Sequence, residues 1–167
     1  ASIGSYAVNQ MVAKGSFGNS DHFDFEKPLT CLVWLTSIVS IIITYAVSYG
    51  FLGDLGGNVW LRLATIISCG TISAALIPEL TKVFTSAKSK HVAEIVTASR
   101  EGGASLTILA GLVAGNMSVF WKGLSIAGLM LVAYITASAE LSQFMVYPAV
   151  FAFGLVAFGM LSMGPVT

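Results

Sequence analysis

The fold is decided by the stretch LTCLVWLTSIVSIIITYAVSYGF, which occupies residues 29–51 and contains no charged side chain. Three further stretches, at residues 59–83, 105–136 and 146–167, are also long and mainly apolar. A helix needs about 20 apolar residues to cross the hydrocarbon core of a bilayer. Because lipid offers no partners to backbone N–H and C=O groups, such spans form helices. The sequence therefore predicts an all-α polytopic membrane protein with about four transmembrane helices.

The composition excludes one class of partner and predicts another. Hydrophobic residues make up 56% of the chain and charged residues 10%, whereas an average soluble domain has roughly 25% charged residues. The formal net charge is zero, and no basic patch is available to neutralise phosphates, so a nucleic-acid partner is not expected. The lipid bilayer is the expected surrounding. Cys31 and Cys69 both lie inside predicted spans, where we expect each to be a small buried hydrophobic residue.

The charge pattern predicts the domain organisation and the orientation in the membrane. Residues 1–28 are predicted to form a cytoplasmic loop, with the tail of a preceding helix at residues 1–12 as an alternative, and residues 29–167 form the transmembrane domain. Pro28 suits the first turn of the first spanning helix. Residues 84–101 carry Lys88, Lys90 and Arg100 and are predicted to be a cytoplasmic loop, by the positive-inside rule, with a short amphipathic helix.

The third apolar stretch is longer than one span requires. A helix over residues 102–136 would be roughly 50 Å long at ~1.5 Å per residue, so the stretch is either one long helix or two spans broken at residues 116–122. The connection at residues 138–145 contains Glu140 and neither Lys nor Arg. This charge bias favours an external connection, and hence one long helix, which we expect to be kinked near Gly115.

Few residues of the chain could carry chemistry. The sequence has no HExxH, CxxC, GxSxG or GxxxxGK[ST] motif, and Gly102-Gly103 lacks the lysine of a phosphate loop. Ionisable groups at membrane depth are functional candidates by default. Glu79 and Lys82 lie three residues apart on one helix face and could pair, with an interfacial ion pair as the structural alternative. Lys122 is expected to reach the outer interface or a carboxylate, and Arg100 to meet an anionic group.

Several segments resemble the membrane-bound, ion-translocating inorganic pyrophosphatases. They are TKVFTS at residues 81–86, VAEIVTASREGGAS at 92–105, GLVAGN at 111–116, and FAFGLVAFG at 151–159 followed by GPVT at 164–167. In that family the last of these helices leads into an aspartate-rich motif of the form DxYGPVxDNAxG. Many relatives carry Glu where this chain has Lys82, which weakens the case for an acidic role at that position.

The resemblance implies a homodimeric pump with sixteen transmembrane helices per subunit, of which this chain would supply about the eighth to the eleventh. Such pumps hydrolyse magnesium pyrophosphate at the cytoplasmic face and move H⁺ or Na⁺ outward, often with K⁺ as activator. The expected location is the inner membrane of a bacterium. The expected partners are the bilayer, the rest of the parent chain, a second subunit and pyrophosphate.

The same resemblance implies that the active site lies elsewhere in the parent protein. The family's substrate-binding segment of the form DVGADLVGKVE is absent, and the chain stops before the aspartate-rich motif would begin. No catalytic, substrate-binding or metal-binding residue is therefore assigned, and Glu79, Lys82 and Arg100 remain the candidates. We expect a fragment of a longer polypeptide that is inactive alone. A bundle from a secondary transporter, or a non-catalytic membrane subunit, is the alternative.

Overall fold

The computed structural model describes residues 2–17, 26–53, 58–141 and 146–162, and every long element in these ranges is an α-helix. The helices are α1 (Ser2–Phe17), α2 (Glu26–Leu52), α3 (Val59–Thr85), α4 (Lys90–Glu140) and α5 (Pro148–Leu161). Two segments, Glu26–Leu52 and Val59–Ser138, are long and apolar enough to cross a membrane by length and composition, and Pro148–Leu161 is a shorter apolar helix. The predicted all-α fold is confirmed.

The helix bounds agree with the predicted elements at most places. Helices α2 and α3 contain the predicted stretches 29–51 and 59–83 and extend them by a few residues. Pro28 lies in the first turn of α2, as expected. Helix α1 continues to Phe17, beyond the helix tail considered at residues 1–12, and residues 18–25 of the predicted loop lie outside the described residues. The last residues of the fourth predicted stretch, 163–167, lie outside the described residues.

Helix α4 contains a break at Gly103, whereas the sequence analysis expected a kink near Gly115. Gly103 has φ 63° and ψ −150°, a combination that is essentially restricted to glycine. The break separates a helix that begins at Lys90, where an amphipathic helix was predicted, from a second helix that continues to Glu140. The expected kink near Gly115 is not marked by any departure from helical dihedral angles, since a glycine can remain helical at a cost of only about 1 kcal/mol.

The chain forms two compact units. The first comprises Ala1–Ala75 and Leu129–Thr167, and the second comprises Leu76–Gly128. In the first unit, α1 is tied to α2 by the Asn9 side chain, whose Nδ2 donates to the Pro28 carbonyl at 3.3 Å.

Helices α2 and α3 run antiparallel within the first unit. Near their connection the rings of Tyr49 and Trp60 meet edge to face, with centroids 5.3 Å apart. One turn further along, the hydroxyls of Tyr45 and Thr65 lie 3.1 Å apart. At the far end Val33 is buried with Ala75. Residue numbers fall on α2 as they rise on α3, which fixes the antiparallel register.

The core of the first unit lies where α3, the last turns of α4 and α5 meet. It is built mostly from small side chains: Ile66, Ala133, Ala137, Ala152 and Val156. Small residues let helix backbones approach closely, which matters where lipid provides no hydrophobic drive for association. Cys69 is buried beside this region, as predicted, whereas Cys31 is exposed, because its side of α2 faces away from the other described helices.

Candidate functional site

The two candidates on α3 form an ion pair. Lys82 Nζ lies 3.5 Å from Glu79 Oε1, and about a quarter of each side chain is exposed. The spacing of three residues places both groups on one helix face. The predicted pairing is therefore confirmed. Pro78 immediately precedes the pair inside the helix, where it removes one backbone N–H and leaves the carbonyl one turn earlier without its helical donor.

A second cation, Lys122, lies beside this pair in the second unit. Its Nζ donates to Thr81 Oγ1 at 3.4 Å, and the Thr81 hydroxyl donates in turn to the Ile77 carbonyl at 2.7 Å. The sequence analysis expected Lys122 to reach the interface or a carboxylate. In the described part of the chain its partner is instead a hydroxyl, on the same turn of α3 as Glu79 and Lys82. Thr81 thus links Lys122 to the part of α3 that carries the Glu79–Lys82 pair.

The lysine-rich connection between α3 and α4 is held by side-chain caps. The Ser89 hydroxyl accepts a hydrogen bond from the His91 backbone N–H at 3.2 Å and donates to the Val83 carbonyl. Ser89 is therefore the N-cap of α4. The His91 ring stacks on Phe84 with centroids 4.7 Å apart. These contacts fix the start of α4 against the last turn of α3.

Arg100, the third candidate, lies on the exposed surface three residues before the break at Gly103. The helical segments on the two sides of the break line a common groove of about 460 Å³. Its lining is mostly apolar: His91, Glu94, Ile95, Ala98, Leu106, Leu109, Ala110, Val113, Ala114 and Met117. No described hydrogen bond or ion pair joins Arg100 to the Glu79–Lys82 pair. The three candidates therefore lie at two separate positions in the second unit.

One close contact was missed by the sequence analysis. Gly70 on α3 and Gly159 on α5 meet so closely that a Cβ on Gly70 would lie 2.1 Å from the Val156 carbonyl oxygen. The sequence analysis attached no role to Gly70. The run Ser68-Cys69-Gly70-Thr71 consists of small residues inside a spanning helix, which is the signal that points to such a contact.

Comparison with known proteins then settles the family. A family model described as inorganic H⁺ pyrophosphatase matches residues 1–167, the whole chain. The chain belongs to this family. It is 56% identical over 168 residues to a protein of Chlorobaculum tepidum described as a K⁺-insensitive pyrophosphate-energized proton pump. That alignment covers 100% of the chain and 22% of the relative, so the chain spans about a fifth of the relative's length. No match to a solved structure was found.

Family membership confirms the resemblance seen in the sequence and identifies the chain as part of an all-α membrane protein. It also allows a test of whether the described residues suit Mg²⁺. That ion prefers several oxygen ligands, usually one or two carboxylates together with substrate phosphates. Within residues 2–17, 26–53, 58–141 and 146–162, no three His, Cys, Asp or Glu side chains come together in a way that could hold a metal. The described residues therefore offer no such cluster, and no magnesium ligand is assigned among them.

Proposed function

We propose that this chain is part of a pyrophosphate-energised proton pump, which couples hydrolysis of magnesium pyrophosphate to movement of H⁺ across a membrane. The observation that carries the proposal is the 56% identity to a proton pump along the entire chain. Such a match, which covers the whole chain, favours a shared mechanism over a bundle of unrelated function. It weighs against the secondary transporter and the non-catalytic subunit as alternatives.

The relative's description also favours one ion and one form of regulation. Its name states proton transport and insensitivity to K⁺. We therefore favour H⁺ over Na⁺ as the transported ion, and activity without K⁺ over activation by K⁺, for the protein to which this chain belongs.

The parent protein is proposed to be a homodimer with sixteen transmembrane helices per subunit, located in the inner membrane of a bacterium. The alternating directions of the helices in the first unit support successive crossings of a bilayer. We place the lysine-rich connection at residues 84–101 in the cytoplasm, in keeping with its charge. The catalytic carboxylates and lysines belong to segments of the parent other than the residues described here, so these residues alone are proposed to be inactive.

The candidate residues receive supporting roles in this proposal. The Glu79–Lys82 pair keeps two charges mutually neutralised at the membrane boundary, which lowers the penalty of holding them near lipid. Arg100 is exposed and is available to an anionic group from another segment of the parent, since a guanidinium binds carboxylates and phosphates through paired hydrogen bonds.

The test uses the full-length protein in membrane vesicles. Hydrolysis of pyrophosphate is measured with Mg²⁺ present or absent, and in K⁺ or Na⁺ salts, while a pH-sensitive dye reports acidification of the vesicle interior. We expect Mg²⁺-dependent hydrolysis, equal rates in K⁺ and Na⁺, and acidification that an uncoupler abolishes. Vesicles without the protein are the control. Absence of hydrolysis under all these salts would refute the pump, and acidification that needs no pyrophosphate would favour a secondary transporter.

A further inference from the structure

Helix α4 folds back on itself at Gly103. The groove in the second unit is lined by residues between 91 and 98 before the break and by residues between 106 and 117 after it. In one straight helix His91 and Met117 would be about 39 Å apart at ~1.5 Å per residue, too far to line a common groove. Residues 90–102 and 104–117 are therefore two arms that lie side by side, with Gly103 at the tip. We call residues 90–121 the α4 hairpin.

The α4 hairpin projects beyond the end of α3. Its first arm begins beside that end, where His91 stacks on Phe84. Its second arm returns to α3 at Lys122, whose Nζ donates to Thr81. At ~1.5 Å per residue, the tip lies about 18 Å from His91 along the first arm and about 29 Å from Lys122 along the second. The tip is thus farther from Thr81 than from Phe84, so it lies past the last turn of α3.

Charged side chains accompany the apolar arm along its length. Residues 104–121 contain no charged residue, which is why composition alone counts them as part of a span. The neighbouring arm carries Lys90, Glu94, Arg100 and Glu101, and the Glu94 side chain, which borders the groove, is 77% exposed. Lipid around the second arm would surround these charges as well, which is strongly unfavourable in a hydrocarbon core.

The length of α4 leads to the same conclusion. From the break at Gly103 to Glu140 the helix is about 55 Å long at ~1.5 Å per residue, whereas the hydrocarbon core is about 30 Å thick. The part from Lys122 to Glu140 is about 27 Å long, which suits one crossing. Trp121 and Lys122 begin this part, and both residue types favour the interface between lipid and water.

We propose that α4 enters the hydrocarbon core at Lys122 and that the α4 hairpin stands outside the core, on the side of residues 86–89. Lys122 and the Glu79–Lys82 pair then face the lipid headgroup layer, whose phosphates match the excess of positive charge in this group. The sequence analysis expected Lys122 at the outer interface, and the proposal places it at the opposite one. The inference depends on the membrane location of the family and not on the proposed activity.

The experiment compares substitutions at two glycines that lie roughly 10 Å on either side of Lys122 along α4. Gly115 and Gly128 are both exposed, and a Cβ at either one meets nothing within 4 Å. Gly115→Glu and Gly128→Glu each add a charge. Gly115→Met and Gly128→Met add an apolar side chain of similar length and are the matched controls. The amount of folded full-length protein in the membranes is measured by size-exclusion chromatography in detergent.

We expect Gly128→Glu to lower the folded amount by roughly tenfold or more, because its carboxylate would stand in hydrocarbon. Gly115→Glu should stay within about twofold of wild type, as an ordinary surface substitution does, because water and headgroups solvate its carboxylate. Both Met variants should fold. A loss in Gly115→Glu as large as that in Gly128→Glu, or no loss in either, would overturn the inference.

A cross-link decides the question if a Met control fails to fold. In protein whose other cysteines are replaced by alanine, a short bismaleimide should join Thr81→Cys to Lys122→Cys. Thr107 lies about 22 Å from Lys122 along α4, whereas a helix that entered the bilayer at residue 105 would place Thr107 beside Thr81.

A cross-link between positions 81 and 107, or none between positions 81 and 122, would therefore contradict the proposal. Neither measurement uses catalytic activity. A folded wild-type protein that does not hydrolyse pyrophosphate would refute the proposed function and leave the membrane boundary at Lys122 to be decided by these variants.

Discussion

Arg62, near the start of α3, donates a hydrogen bond from Nη1 to the backbone carbonyl oxygen of Thr136, near the end of α4, at 3.1 Å. The carbonyl end of a helix carries a partial negative charge, which a cation stabilises. The Arg62 guanidinium therefore links two helices of the first unit.

We expect Arg62→Leu to lower the free energy of unfolding by about 1.5–3 kcal/mol, the usual range for a hydrogen bond that involves a charged group. Arg62→Lys should recover part of this loss, because it keeps the charge but not the planar guanidinium. Thermal denaturation of the full-length protein in detergent measures both effects. Equal melting temperatures for wild type and Arg62→Leu would show that the bond to Thr136 contributes nothing.

The break at Gly103 leads to a second prediction. Ala cannot adopt φ 63° with ψ −150° without strain of about 1–3 kcal/mol, although a Cβ at Gly103 would meet nothing within 4 Å. We therefore expect Gly103→Ala to lower the melting temperature of the protein. Gly111→Ala is the matched control, since its site is equally open and helical, where Ala is favoured over Gly by up to about 1 kcal/mol. Stabilisation by both substitutions would mean that the helix is not broken at Gly103.

The bond between Lys122 and Thr81 is suited to a double-mutant cycle. Lys122→Met and Thr81→Val each remove one partner, and the double variant removes both. Hydrogen bonds between membrane helices contribute about 0.6 kcal/mol on average, so we expect a coupling energy of that size in thermal denaturation. The distance of 3.4 Å argues against a larger value. Strictly additive effects of the two substitutions would contradict a direct interaction.

Two buried hydroxyls have no hydrogen-bond partner among the described residues, Thr36 Oγ1 and Ser73 Oγ. A buried polar group without a partner destabilises a protein by about 1–3 kcal/mol. We expect Ser73→Ala and the nearly isosteric Thr36→Val to leave the melting temperature unchanged or to raise it. Ser37→Ala is the comparison, because the Ser37 hydroxyl donates to the Val33 carbonyl at 2.8 Å. A clear loss of stability in Ser73→Ala would indicate a partner in another segment of the parent.

The elements that sequence predicts well here are those set by local chemistry. Helices α2 and α3 follow from the length of their apolar stretches, and the Glu79–Lys82 pair follows from a spacing of three residues on one helix. The adjacent glycines at 102 and 103 indicate where α4 can leave helical geometry. The sequence does not say whether either residue does so, because glycine adopts helical and non-helical dihedral angles with similar ease.

The features that were not predicted depend on how distant segments meet. Nothing near Lys122 in the sequence indicates that its partner is Thr81, 41 residues earlier. The same holds for Gly70 and Gly159, whose contact exists only because α3 and α5 are neighbours in space. The functional assignment came from the resemblance of several short segments to a family, since the described residues contain no catalytic motif from which it could be derived.

Helices α3 and α5 run in the same direction, because Ile66 is buried with Ala152 and Val156, whereas Thr71, further along α3, lies 3.5 Å from the Gly159 carbonyl oxygen. This common direction limits the polypeptide between them. Two neighbouring helices that point the same way must be separated by an odd number of helices that run the full length of the bundle. The single helix from the Gly103 break to Glu140 supplies one. An insertion that added a second such helix would reverse the direction of α5 relative to α3. An insertion or deletion between α3 and α5 therefore preserves their common direction only when the number of full-length helices between them stays odd.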